Sequence, residues 1–375
     1  MKQKKHIVID ARLYGPKHTG LGRYTKNLLI ALKDLPEFNK FNFTLLVYPE
    51  LLNEIKSDLG NSFNYRVCKY RHYSLKEQLF LPFFIRQLKP DLTHFTHLDK
   101  PILYFGKSAV TIHDLIRHFS KGGETTTKSP FLYWPKYFGY LLMTRIILWT
   151  SFVIVPSDFW RDFIIKKYSF NPHKIITTHE AVDPVFIKKN RPHIDNCKLK
   201  TENYLLYTGN LYPHKNITIV FKALKKLPKI KLKIICARSI FTQKIEAQIK
   251  REKLTSQVEF LGFVPDSDFS KLYSHALALV HPSLMEGFSL TGLEAMALNC
   301  PVIAAKASCL PEIYGPAALY FNPYSTQSLV KTISKLKNNL PLRNRLIKLG
   351  QKQYQKYDWS FTAQKTLDFY KQIIN

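Results

Sequence analysis

Two carboxylates eight positions apart, Glu286 and Glu294, stand in the stretch 281–301, which reads HPSLMEGFSLTGLEAMALNCP. Glu286 lies beside Gly287, where loop is expected. Glu294 falls in the first turns of the apolar run 293–298, which reads as a helix. The run before them, 276–280, reads as a buried strand. Strand, loop and helix therefore follow one another, with an acid at either end of the loop. The first N–H groups of such a helix lack intrahelical acceptors and attract an anion such as a diphosphate. Carboxylates beside them accept hydrogen bonds from sugar hydroxyls. Together these groups suit a nucleotide-sugar. A plainer alternative stands beside this one, because a glutamate near a helix start is favoured by the helix dipole whatever its function.

Other positions carry similar double readings. Residues 18–24 read HTGLGRY, where Gly20 and Gly22 either let a backbone approach a ligand or form an ordinary turn, before a helix over Tyr24–Leu32. A full G-x-G-x-x-G is missing, so a nicotinamide site is not supported. His113 ends a strand in Thr-Ile-His-Asp and is either a donor to a sugar hydroxyl or a packed, capping histidine. In 207–216, YTGNLYPHKN, a strand ends at Gly209 and Lys215 follows six residues on. That lysine can meet a phosphate as a point charge or stay solvated. Leu261, Gly262, Phe263 and Val264 close a strand ahead of a turn at Pro265 and Asp266.

A chain of 375 residues, 45% apolar and without low-complexity tracts, suits two globular domains. Short apolar runs alternate with amphipathic ones, which predicts α/β architecture with parallel sheets. Strands are expected at 6–10, 44–47, 92–95, 109–112 and 152–155, and again at 204–209, 232–235, 258–261, 276–280, 302–305 and 318–320. The polar stretch 185–203 reads as a linker between the halves. Two successive Rossmann-like units fit this alternation, with ligands beyond the carboxyl ends of the strands and the site in the cleft between domains. The run 139–156, GYLLMTRIILWTSFVIVP, is long enough to suggest a membrane span, but Arg145 interrupts it. A buried helix followed by a core strand, divided at Thr150 and Ser151, is the better reading. No secretory apolar segment follows the amino terminus, so a cytoplasmic protein is expected. The five cysteines are scattered, without zinc-ligand spacing, and read as free thiols.

The net charge of +29 is spread evenly, with 27 basic and 14 acidic residues in 1–180 and 29 and 13 in 181–375. Lysine-rich composition, attraction to an anionic membrane and nucleic-acid binding compete to explain it. No helix-turn-helix, RNA-recognition or zinc-finger pattern accompanies the charge, so no nucleic-acid partner is expected.

The glutamate stretch resembles the E-x7-E signature of family-4 retaining glycosyltransferases. The resemblance continues through 301–305, 310–313 and 317–323, about forty contiguous positions. It implies the GT-B fold, two Rossmann-like domains facing across a cleft. The first would span 1–190, on the acceptor side, with a crossover helix at 361–375; the second, binding the donor, would span 200–360. By the resemblance Glu286 holds donor-sugar hydroxyls and Glu294 the ribose. Gly20, Gly22, Gly209, Lys215 and the backbone at Ser289, Leu290 and Thr291 approach the phosphates. Gly262 and Phe263 line the base, and His113 contacts the donor sugar, with Asp114 as structural support.

Relatives often place an arginine beside the loop lysine, where this chain has Asn210 and His214. That leaves one fixed cation for the phosphates. Asn299 stands where glycine is usual, although asparagine tolerates a left-handed helix end. The triplet Asp266-Ser267-Asp268 looks like the metal motif of another glycosyltransferase fold, but a polar turn is the better reading. No catalytic metal and no cofactor are expected. The text of 9–24 and 74–82 most resembles bacterial mannosyltransferase-like members that build surface polysaccharides. The implied donor is GDP-mannose, with a UDP-sugar as runner-up. The implied acceptor is a lipid-linked or surface glycan, at the inner face of an anionic membrane. A sugar-nucleotide epimerase, a phosphorylase or a non-catalytic basic binding protein on the same scaffold remain the alternatives.

Overall fold

The computed structural model describes residues 4–120, 129–189, 202–236, 240–262, 264 and 266–375. The chain divides into two compact units. The first comprises Met1–Leu115, Phe131–Glu180 and Asp358–Asn375; the second comprises Ile116–Pro130 and Ala181–Tyr357.

The first unit is built on seven strands: β1 (Lys5–Asp10), β2 (Phe41–Val47), β3 (Asn64–Val67), β4 (Leu92–Phe95), β5 (Ser108–Thr111), β6 (Phe152–Val155) and β7 (Ile175–Thr177). They pair in parallel in the order β3-β2-β1-β4-β5-β6-β7. The second unit holds β8 (Tyr204–Thr208), β9 (Lys231–Ile235), β10 (Val258–Phe260), β11 (Ala278–His281), β12 (Val302–Ala305) and β13 (Ala318–Phe321). These are also parallel, in the order β10-β9-β8-β11-β12-β13. Helices cover both faces of a parallel sheet, so its central strands read as unbroken apolar runs. Ile7, Val8 and Ile9 of β1 and Val302, Ile303, Ala304 and Ala305 of β12 are fully buried accordingly.

The two strands that sequence periodicity misses, β3 and β7, are the outermost of the first sheet. An edge strand buries little, and the residues of β3 (Asn64, Tyr65, Arg66 and Val67) are mostly exposed. Of the expected linker, Pro184–Lys189 forms a short helix; residues 190–201 lie outside the described residues. Asp266, Ser267 and Asp268 open the Asp266–His275 helix rather than forming a turn.

The long apolar run divides as its sequence suggests: the Pro130–Thr150 helix ends just before β6 begins at Phe152. That helix is not buried, contrary to expectation. It buries a single face through Tyr133, Tyr140, Thr144, Ile147 and Leu148, while Phe131, Trp134, Phe138, Leu142 and Trp149 remain exposed. Among the described residues no helix is long and apolar enough to cross a membrane.

The carboxy-terminal helix, Trp359–Ile374, packs within the first unit against the Thr19–Lys33 helix. Trp359 meets the ring of Tyr24 edge-on at 5.9 Å. The Thr362 hydroxyl donates to the His179 carbonyl. Lys371 pairs with Glu37 at 2.8 Å. Its deepest polar contact joins the Tyr370 hydroxyl to His94 Nδ1 at 2.5 Å, while His94 Nε2 lies 2.8 Å from Thr111 Oγ1. Burial holds the His94 ring neutral, with its pKa down to about 3. Tyr370→Phe leaves Nδ1 buried without that partner, at a cost of about 1–3 kcal/mol. Urea denaturation should show that loss in the transition of the first unit, with an unchanged slope.

Candidate functional site

In the second sheet, strand order runs outward from β8 on one side and from β11 on the other, so the two are hydrogen-bonded neighbours with Leu205 opposite Ala278 and Leu206 opposite Leu279. Loops leaving such a reversal diverge to opposite faces and open a crevice at the carboxyl ends of the strands, where ligands bind in open α/β sheets. The loop after β8 carries Gly209 and Lys215; the loop after β11 carries Glu286 and Ser289. Gly209 has φ +135°, a backbone that side chains disfavour, and open space where a Cβ would stand. The Leu284 N–H donates to the His214 carbonyl at 2.8 Å and ties the two loops together.

Lys215 and Glu286 meet here. Lys215 Nζ donates to both carboxylate oxygens of Glu286, at 2.7 and 2.8 Å. His281, the last residue of β11, places Nε2 2.9 Å from Glu286 Oε1. The Glu286 N–H donates to Ser308 Oγ at 3.1 Å, and the Cys309 thiol donates to the Glu286 carbonyl. Burial alone would raise the Glu286 pKa, but Lys215 and His281 outweigh it and hold the carboxyl well below its usual range. The carboxylate is therefore charged, buried and held by Lys215 and His281, while Ser308 and Cys309 fix its backbone. His214, in the place where an arginine is common, adds no second charge. Burial and the neighbouring Lys215 pull its pKa to about 4, so it is neutral at physiological pH.

The helix that follows, Leu290–Ala297, starts from Ser289 in a left-handed conformation, φ +80°. Its first N–H groups, at Leu290 and Thr291, have no intrahelical acceptor. The next, on Gly292, donates to the Tyr314 hydroxyl at 3.2 Å. That hydroxyl also lies 2.6 Å from Ser289 Oγ and 3.2 Å from His281 Nδ1. A Cβ on Gly292 would stand 2.2 Å from Tyr314 Cζ, so only glycine admits the ring against the helix start. Glu294 sits half-buried one turn further along the helix. Beyond its end Asn299 adopts φ +60°, the left-handed position expected of it.

His281, Tyr314 and Ser308 join this cluster without having been singled out in the sequence. The strand-end His-Pro-Ser at 281–283 was a usable signal for the first. Tyr314 and Ser308 arrive from the segment after β12 and carry no local mark. Gly262, with φ +66° and open space beside it, follows β10, two strands away from β8. Phe263 lies outside the described residues.

The first unit holds Gly20, Gly22 and His113. The two glycines lie inside the Thr19–Lys33 helix, not in a turn before it. Gly22 answers to the protein itself: a Cβ there would stand 2.0 Å from the Gly15 carbonyl oxygen. At Gly20 nothing lies within 4 Å of where a Cβ would stand. His113 lies just beyond β5, with Nε2 3.0 Å from the Thr96 carbonyl and Nδ1 3.1 Å from Glu180 Oε1. Tyr24 abuts its ring edge-on at 4.6 Å. Both ring nitrogens thus face acceptors inside the protein, and a sugar hydroxyl would have to displace one of them.

Residues 190–353 match the family model described as Glycosyl transferases group 1. Over 370 residues the chain is 26% identical to the O-antigen chain mannosyltransferase B of Escherichia coli, covering 94% of this chain and 96% of that protein. It is 28% identical over 348 residues to the O-antigen chain mannosyltransferase RfbU of Salmonella typhimurium, covering 88% and 91%. The fold matches that of the sucrose-phosphate synthase of Thermosynechococcus elongatus with a TM-score of 0.74 at 18% identity, over 98% of this chain and 99% of that one. Two parallel-sheet α/β units of this kind make the GT-B fold, and the chain is a glycosyltransferase of that fold. Within that class it is similar, along most of its length, to O-antigen mannosyltransferases.

The His113 geometry has a measurable consequence. Burial disfavours its charge, but Glu180 and the Thr96 carbonyl prevail and raise its pKa above the ordinary 6.5. A raised folded-state pKa gives stability that is complete below the unfolded value and is lost as pH rises through the folded one. NMR titration should therefore find the His113 ring still protonated above pH 6.5, and Glu180→Gln should bring its midpoint down.

Proposed function

We propose that the chain is a family-4 retaining glycosyltransferase that moves mannose from GDP-mannose to a lipid-linked or surface glycan in polysaccharide synthesis. The observation that carries this reading is the charged, anchored Glu286 beside Lys215 at the β8/β11 reversal. The mannosyltransferase relatives support the choice of sugar.

Glu286 and Glu294 are then the E-x7-E pair, the first holding donor-sugar hydroxyls and the second the ribose. The N–H groups of Leu290 and Thr291, behind Ser289, receive the diphosphate together with Lys215, and Gly209 keeps side chains out of its way. Lys215 is engaged with Glu286 in this structure. The donor's diphosphate competes for that ammonium. When Lys215 turns to phosphate, Glu286 keeps the His281 N–H and frees its other lone pairs for sugar hydroxyls. Donor binding thus exchanges one ion pair for another and arms the carboxylate in the same step. Stabilising the departing diphosphate is electrostatic catalysis by preset donors. A phosphate oxygen of the leaving group takes the acceptor's proton, so no protein base is assigned, and neither metal nor cofactor enters the scheme.

A lipid-linked acceptor calls for contact with a membrane. Two helices of the first unit support one. The Leu75–Gln87 helix exposes Leu75, Leu79, Phe80 and Phe83, and the Pro130–Thr150 helix exposes Phe131 at 90% and Trp149 at 80%. Exposed aromatic and aliphatic side chains on a chain of net charge +29 suit the interface of an anionic bilayer.

Thermal-shift measurements test the donor site. At a hundred times its dissociation constant GDP should stabilise by about 2.7 kcal/mol, an effect lost in Glu294→Ala. Glu286→Gln should keep GDP binding while turnover falls by about 10²–10³. A shift with UDP alone would move the donor to a UDP-sugar, and none with any nucleotide would sink the donor site. Flotation with vesicles tests the membrane surface. Anionic vesicles should carry the protein up and zwitterionic ones should not, and Phe131→Ser with Trp149→Ser should leave it at the bottom of the gradient. Equal flotation of that double variant would remove these side chains from the reading.

A further inference from the structure

In the first sheet β1 and β4 are neighbours, with Asp10 opposite Phe95, and their carboxyl ends share a buried polar cluster. Asp10 is the last residue of β1; His97 lies two residues past the end of β4; His72 lies in the segment after β3. Arg12 grips Asp10 through Nε–Oδ1 at 2.8 Å and Nη2–Oδ2 at 2.6 Å, and reaches Glu77 Oε1 at 2.7 Å. The Tyr73 N–H bridges Glu77 and Asp99.

Against these satisfied groups stand three imidazole nitrogens that are not. His97 is 3% exposed. Neither of its ring nitrogens, nor Nε2 of His72, meets a hydrogen-bonding protein atom. Buried polar atoms are nearly always bonded, so three orphans at one point need a reason. His72 Nδ1 is held by the Tyr48 hydroxyl at 2.8 Å, which aims Nε2 at Asp10 Oδ2 across 3.8 Å. That gap is too long for a hydrogen bond. It suits two ligands of one ion, because metal bonds of about 2.0–2.2 Å set neighbouring ligands about 3.3–3.6 Å apart in a tetrahedron.

One donor atom each from Asp10, His72 and His97 lies within 4.8 Å of the others, and the same holds for His72, Glu77 and Asp99. Three buried carboxyl groups, Asp10, Glu77 and Asp99, gather around the single guanidinium of Arg12. We propose that Asp10, His72 and His97 form a site for a divalent transition metal, zinc being the ion whose ligand preferences they match, with Glu77 or Asp99 in reach of His72 to complete it. The ion ties together the segments that follow β1, β3 and β4. Its role is to hold that end of the sheet, apart from the chemistry proposed for the second unit.

The test uses tag-free, full-length protein treated with EDTA and then titrated calorimetrically with Zn²⁺. One equivalent should bind. Outer-shell partners alone are worth about 10–100-fold in metal affinity, so His97→Gln and His72→Gln should each weaken binding by about tenfold or more. Far-UV circular dichroism in EDTA should be unchanged in both. Cobalt offers a second readout that needs no variant: the unaltered protein with one equivalent of Co²⁺ should gain visible d–d absorption that Zn²⁺ abolishes. No stoichiometric Zn²⁺ binding with no Co²⁺ absorption overturns the proposal. Binding undiminished in both variants also overturns it, since the ion would then sit elsewhere among the chain's histidines.

Discussion

A carboxylate taken out of water has to be charged for its task and yet is costly to charge. In this protein Glu286 meets that constraint through one ammonium and one imidazole, and much of the second unit is arranged around the solution. Lys215 can reach it because β8 and β11, distant in the chain, lie side by side in the sheet. His281 can reach it because β11 ends one residue later than its apolar run. Tyr314 fixes His281 from the other side, and only a glycine at position 292 leaves the tyrosine ring room to do so. Without Lys215 and His281 the acid would face desolvation uncompensated, which pushes it toward the neutral form.

The first unit treats its own buried charge differently. His113 is flanked by acceptors on both ring nitrogens, which raise its pKa, while His94, close by, is kept neutral between two hydroxyls. Burial thus goes with pKa shifts of opposite sign. The deciding factor is whether the neighbours are a carboxylate and a carbonyl or hydroxyls able to serve as donor or acceptor.

Much of this architecture could be read before any coordinates, and the failures have physical causes. Central strands were legible because burial on both faces writes an unbroken apolar run. The edge strands β3 and β7 write none. The glycines at 20 and 22 were read as a loop or turn ahead of a helix that begins at Tyr24, yet the helix already starts at Thr19, and Gly22 is packed against Gly15. The Pro130–Thr150 helix looked buried because apolarity on every side usually means burial; here one apolar face is buried and the other faces outward. Within the site, Glu286 and Lys215 stood out because contiguous text around them matches a known pattern. The Tyr314 and Ser308 contacts depend on a loop that returns to the cluster after β12, and no local spacing could announce them.

The placement of the carboxy-terminal helix bears on how the chain is made. Its last eighteen residues complete the unit that its first residues begin. During synthesis the amino-terminal sheet therefore leaves the ribosome early but lacks the cover that Trp359 and Tyr370 supply over Tyr24 and His94. The second unit has emerged in full before that cover arrives. The nascent protein therefore carries an open seam on its amino-terminal unit until that helix has emerged.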